Sequence, residues 1–168
     1  MDPNTFDFGF SLVDEDELEA VQAASTVVQA TTQELGTVQD RFDIDLVEFI
    51  AKENNDKSIV IVGPVWNNEI VDKLSKYSNI YFLGRKSYTE VPMYIQQFDI
   101  GIIPHKLDKF IKFTNPMKMF EYMASGSVII SSNLPVIQEV LNTNNAYLVD
   151  PDNIDQWIDT IKHIEKNK

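Results

Sequence analysis

From residue 43 onward, short runs of β-branched apolar residues alternate with stretches whose apolar positions recur at helical spacing. The runs are Ser58–Val62 (SIVIV), Ile80–Leu83 (IYFL), Asp99–Ile103 (DIGII), Val128–Ser131 (VIIS) and Ala146–Val149 (AYLV). They do not alternate with polar residues, which predicts strands covered on both faces, as in a parallel sheet. The stretches between them predict helices over Ile44–Glu53, Asn68–Lys76, Val91–Gln97, Pro116–Ser125, Pro135–Leu141 and Asn153–Glu165. One helix has both ends marked. Asn115 supplies an N-cap side chain, and Pro116 follows at the first helical position, where a missing N–H costs nothing. At the other end Ser125-Gly126 offers a glycine free to take positive φ. The fold class these patterns predict is α/β, a Rossmann-like parallel sheet with helices on both faces.

Residues 1–40 read differently. Asp14–Ala24 is an acidic helix start followed by small and apolar residues, Thr26–Ala30 is a short strand, and Gly36–Arg41 has no hydrophobic period. We expect an αβ unit with a junction over residues 1–40, and one domain over residues 41–168.

Length agrees with one domain: 168 residues, 43% hydrophobic, are enough for a packed core. The longest nearly unbroken apolar run, Ser58–Trp66, is far short of the roughly 20 residues that span a bilayer. The acidic start does not resemble a signal peptide, and there is no cysteine. The expected location is the cytoplasm, or a membrane surface in a longer form of the protein.

A formal net charge of -12 argues against nucleic acid and anionic membranes as general partners. Its distribution is uneven: residues 1–48 hold 12 acids against the single base Arg41. Within residues 85–118, six bases (Arg85, Lys86, Lys106, Lys109, Lys112, Lys118) face three acids. A small anion fits that excess. A solvated lysine-bearing surface is the plainer account of any such cluster.

Glycine patterns that cradle phosphates in dinucleotide and ATP sites are absent. D-x-D pairs at Asp43/Asp45 and Asp14/Asp16 fall at helix starts, where the macrodipole favours aspartate, so we expect no metal there. His163 lies in a lysine-rich terminal helix and reads as solvated. His105 follows strand Asp99–Ile103 directly, at the carboxyl edge where open α/β sheets bind ligands, although a surface loop histidine is the commoner case.

The stretch from Asp99 to Ser131 places a strand, a basic loop, a capped helix and a second strand in order. Free N–H groups at the helix start, with Lys118 beside them, suit a phosphate. Glu121, one turn inside, is placed to accept hydrogen bonds from vicinal hydroxyls. As bare chemistry this is an anion-plus-polyol site.

Four segments in series, IYFLGR (80–85), YTEVPMY (88–94), FDIGIIP (98–104) and NPMKMFEYMASG (115–126), resemble the donor half of a GT-B fold glycosyltransferase of group 1 (GT4-like). The likeness runs from Phe42 to Lys168, and its specific element is PxKxFEYxAxG. It implies a nucleotide-sugar donor such as a UDP- or GDP-sugar, a saccharide or lipid-linked acceptor, no cofactor, and retention of configuration. It implies nucleobase contacts near Gly84, Arg85 and Lys86, with the ribose at Glu121. The diphosphate or donor sugar would lie at Asn115, Pro116, Met117 and Lys118, with His105 at the same edge. No catalytic residue is assigned. A second glutamate usual eight residues before Glu121 is replaced by Phe113. Residues 23–35 resemble the last αβ unit of the acceptor half, which implies a shortened enzyme lacking most of that half and the first donor strand. The rival from another class is a nucleotide-binding or interaction module that kept the fold without the transfer chemistry.

Overall fold

The computed structural model describes residues 28–29, 42–65, 67–87, 89–107 and 117–167. The expected helix at 14–24, the junction at 36–41, and Tyr88, Phe113, Asn115 and Pro116 lie outside the described residues. Along the chain come β1 (Val28–Gln29), α1 (Ile44–Glu53), β2 (Ile59–Val62), α2 (Asn68–Leu74), β3 (Ile80–Gly84) and α3 (Val91–Ile95). After them come β4 (Ile100–Ile103), α4 (Met117–Ser125), β5 (Val128–Ser132), α5 (Pro135–Gln138), β6 (Tyr147–Val149) and α6 (Ile154–Lys166). Each predicted element from residue 44 onward is present, with ends that differ by a few residues.

Every strand pair is parallel: β1 with β2, β2 with β3, β4 with β5, and β5 with β6. β1 also lies against β4, so the two ladders run side by side in the order β3-β2-β1-β4-β5-β6. Such an order reverses direction between β1 and β4, the switch point at which open α/β sheets take ligands.

Strands of this kind must be apolar on both faces, and the two cores show it. Ile59 and Ile61 of β2, with Ile100 and Ile102 of β4, pack under α1, α2 and α6. Val60 and Val62, with Ile103 and Ile129, pack under α3, α4 and α5. Burial of a large apolar side chain is worth roughly 1.5–3 kcal/mol, so Trp157, Tyr94 and Tyr122, all with no exposed surface, anchor their helices firmly.

Local signals set the helix ends. Asp43 Oδ1 accepts the Leu46 N–H at 3.1 Å, capping α1 as the D-x-D position predicted. Asp45 is ion-paired to Lys73, whose ammonium holds the carboxyl below the usual range. At the far end of α1, buried Asn79 donates to the carbonyls of Ala51, Asn54 and Lys57 at 3.0–3.1 Å, tying the start of β3 to the exit of that helix. Gly126 takes φ 73° after α4, as its sequence position required.

Thr26–Ala30 was read as a short strand of an αβ unit resembling the end of the acceptor half; in the structure Val28 pairs with Ile59 and Gln29 with Val60, and β1 lies between β2 and β4. Strand propensity is local and pairing is not, so the run could be read as a strand but its neighbours could not.

Candidate functional site

Because the strands are parallel, the ends of β3, β4 and β5 open onto one edge. There the chain presents Gly84–Lys86 after β3, Pro104–His105 after β4 and Ser131–Ser132 at the end of β5. α4 then returns from this edge and brings Met117, Lys118 and Glu121 with it. By this topology Gly84, Arg85, Lys86 and His105 fall at the carboxyl edge, and Met117, Lys118 and Glu121 in the first turns of the helix that leads back from it.

The β3 turn is built to be stiff. Gly84 accepts the Gly63 N–H at 2.7 Å, which ties the ends of β2 and β3 together. Just before α3, whose N-cap is Glu90, the Ser87 N–H donates to Glu90 Oε2 at 2.7 Å and the Ser87 carbonyl accepts the N–H groups of Glu90 and Val91. Arg85 is exposed. Lys86 is not equivalent to it, because its ammonium sits 5.1 Å from the centroid of the buried Tyr94 ring. A cation over an aromatic face is attracted by the ring quadrupole. Of the two bases, Arg85 is the one presented to solvent.

His105 is a correction. It was weighed as a surface loop histidine, yet it is 7% exposed. Its neighbours explain the burial. Phe42 bridges it in antiparallel fashion, the Asp43 N–H donates to Pro104 O at 2.8 Å, and Ser132 lies against its backbone. The start of α1 therefore packs onto the exit of β4, an approach that no local pattern announces. His163 is exposed, edge-on to Tyr147.

Lys118 and Glu121 sit one turn apart on α4. Lys118 keeps part of its surface in water, but protein crowds its ammonium, and that desolvation lowers its pKa to about 7 against the pull of Glu121. Burial raises the Glu121 carboxyl, with Lys118 opposing. Among the described residues neither side chain has a hydrogen-bonding partner or an ion pair within 4.0 Å. Lys118 and Glu121 lie within electrostatic reach of each other, but no ion pair within 4.0 Å joins them. Two desolvated, opposite groups without bonded partners suit a ligand carrying an anion next to hydroxyls. The same residues with bonded partners would be a closed surface.

The sequence reading missed Ser132, Tyr94 and Gly101. Only Gly101 carried a signal, a glycine inside a strand, which marks a close approach by another group.

Comparison with known proteins bears on this edge. The family described as "Glycosyl transferases group 1" matches residues 35–167. TuaH of Bacillus subtilis, named as a teichuronic acid biosynthesis glycosyltransferase, is 30% identical over 103 residues, 60% of this chain and 26% of TuaH. The matched stretch thus spans about a quarter of that relative's length. A mutant of S. aureus TarM crystallised with fondaparinux, α-GlcNAc-glycerol and UDP superposes with TM-score 0.65 at 16% identity, over 83% of this chain and 28% of that one. The C-terminal domain of the group 1 family protein LpcC from Francisella tularensis gives 0.62 at 18% identity, over 85% of this chain and 76% of that one. At these identities the structural likeness is one of fold.

Proposed function

The chain belongs to the group 1 glycosyltransferases, and we propose that its part in that chemistry is to hold a nucleoside-diphosphate sugar for transfer to an acceptor hydroxyl in glycoconjugate synthesis. One observation carries the proposal: Lys118 and Glu121 stand desolvated on one turn of α4, at the start of the helix, and among the described residues neither has a hydrogen-bonding or ion-pair partner. Lys118 supplies positive charge for the diphosphate. On this reading Glu121 would meet the ribose hydroxyls, Arg85 the nucleobase, and Asn115, Pro116 and Met117 the phosphate end. His105 lines the same edge. The leaving diphosphate would be stabilised by these groups and by helix-end N–H donors rather than by a resident metal. Support for a uridine nucleotide comes from TarM, whose crystals contain UDP.

Calorimetric titration of the 168-residue chain with UDP, GDP and ADP and their sugars tests the proposal. One nucleotide should bind, and Lys118→Met should weaken it. Failure of all three to bind would overturn the donor assignment.

A second reading rests on coverage: the matched stretch takes in 26% of TuaH. On that reading the chain by itself binds the nucleotide without transferring sugar. Transfer assays across several nucleotide-sugars and saccharide or lipid acceptors separate the two, since turnover requires the acceptor to be oriented against the donor.

A further inference from the structure

Ser132 is the last residue of β5 and has no exposed surface. Its hydroxyl makes two bonds to one residue: it accepts the His105 N–H at 3.0 Å and donates to the His105 carbonyl at 2.8 Å. The β4–β5 ladder stops one step earlier, with Ile103 opposite Ser131. The Ser132 side chain therefore adds a rung where the backbone ladder has ended. From the other side the Phe42 bridge and the Asp43 N–H bond to Pro104 close on the same two residues.

A buried backbone N–H and C=O need partners, and ordered water would satisfy them. The His105 N–H also donates to the Ile103 carbonyl at 3.1 Å, and what the hydroxyl adds is a tie from both backbone groups of His105 to β5, which a water in its place would leave unmade. Lys106 and Leu107, immediately beyond, are the first residues to emerge into solvent. The next described residues are those of α4, which carries Lys118 and Glu121.

We infer that Ser132 is a positioning residue for the phosphate end of the donor, acting through the His105 backbone. It fixes where the chain leaves the sheet, and so where His105 stands at the edge. The inference rests on the donor-binding proposal above. It gives Ser132 no contact with the donor itself, and it separates the phosphate end from the nucleoside end of the site.

The experiment uses the full chain, Ser132→Ala and Ser132→Thr. The probes are whichever of UDP, GDP and ADP binds most tightly, and its nucleoside, followed by saturation-transfer NMR. In Ser132→Ala, which removes both hydroxyl bonds to His105, the nucleotide should weaken about tenfold or more, while the nucleoside keeps its affinity. Ser132→Thr, which retains the hydroxyl, should restore nucleotide binding. If the added methyl prevents that variant from folding, amide exchange decides. The His105 N–H should exchange faster in Ser132→Ala than in the parent while the β5 amides stay protected. Equal nucleotide affinity, parallel losses for nucleotide and nucleoside, or unchanged exchange at His105 would each overturn the inference and leave the donor assignment standing. No binding of any nucleotide by the parent chain would overturn the donor assignment, and this inference with it.

Discussion

The face of the Tyr122 ring lies on Gly101: a Cβ added to that glycine would come within 2.7 Å of Tyr122 Cγ and 2.9 Å of Cδ1. The ring root cannot swing away, because Tyr122 is fully buried and fixed to α4. Gly101→Ala must therefore push the whole helix off β4, and Lys118 and Glu121 move with it. Overpacking of this kind costs about 1–3 kcal/mol, readable as a lower urea midpoint. Nucleotide affinity should fall in the same variant. Retained stability and affinity would show that the sheet yields instead of α4.

Glu121 has the opposite character: among the described residues it has no hydrogen-bonding or ion-pair partner, so its place rests on α4 alone. Glu121→Gln keeps the shape and removes the charge, so nucleotide binding should weaken by about 1–3 kcal/mol, the value of a hydrogen bond to a charged group. Stability should not fall, because burial already disfavours the charged carboxylate. Calorimetry with thermal melting reads both. Unchanged affinity would return Glu121 to the surface of α4.

Lys118 predicts a proton linkage with a definite sign. Its pKa is lowered from the ordinary 10.5 to about 7 by desolvation. Above about pH 7 the folded chain releases a proton that the unfolded chain keeps until about pH 10, so the Lys118 contribution to stability rises across that window. A bound diphosphate favours the ammonium instead. At about pH 8 nucleotide binding should take up close to one proton, measured from calorimetric heats in two buffers of different ionisation enthalpy. Lys118→Met should abolish the uptake. Zero uptake in the parent chain would remove Lys118 from the phosphate end.

What the sequence showed and what it hid follow from the range of the forces involved. α1 was legible to both ends because Asp43 caps it locally and Leu46, Val47, Ile50 and Ala51 bury one face. The strands were legible because a both-sides-buried strand such as Ile59–Val62 is apolar without a break. His105 was misjudged because its burial comes from Phe42, far away in sequence and brought in by an antiparallel bridge. Ser132 gave no sign at all, since a serine closing an apolar strand looks the same whether its hydroxyl faces water or a neighbouring backbone. The site on α4 fell between these cases. PxKxFEYxAxG placed Lys118 and Glu121 on one turn, but their desolvation depends on the sheet behind them.

The place of β1 can be decided by one substitution. If residues 1–40 formed a separate unit, damage within them would leave the rest of the chain as stable as before. In the structure Val28 and Gln29 pair with Ile59 and Val60 on one side and lie against β4 on the other. A central strand does not tolerate proline, which removes a ladder N–H and leaves a buried acceptor unpaired. Val28→Pro should therefore destabilise the domain by about 1–3 kcal/mol or more, the cost of a buried group left without its partner. The loss should appear as one cooperative transition, with faster amide exchange in β2, since β2 has β1 as its neighbour on that side. The nucleotide site should weaken as well, because β1 and β4 flank the switch point. A melting curve for Val28→Pro that overlays the parent would detach residues 28–29 from the sheet and restore the separate unit read from the sequence.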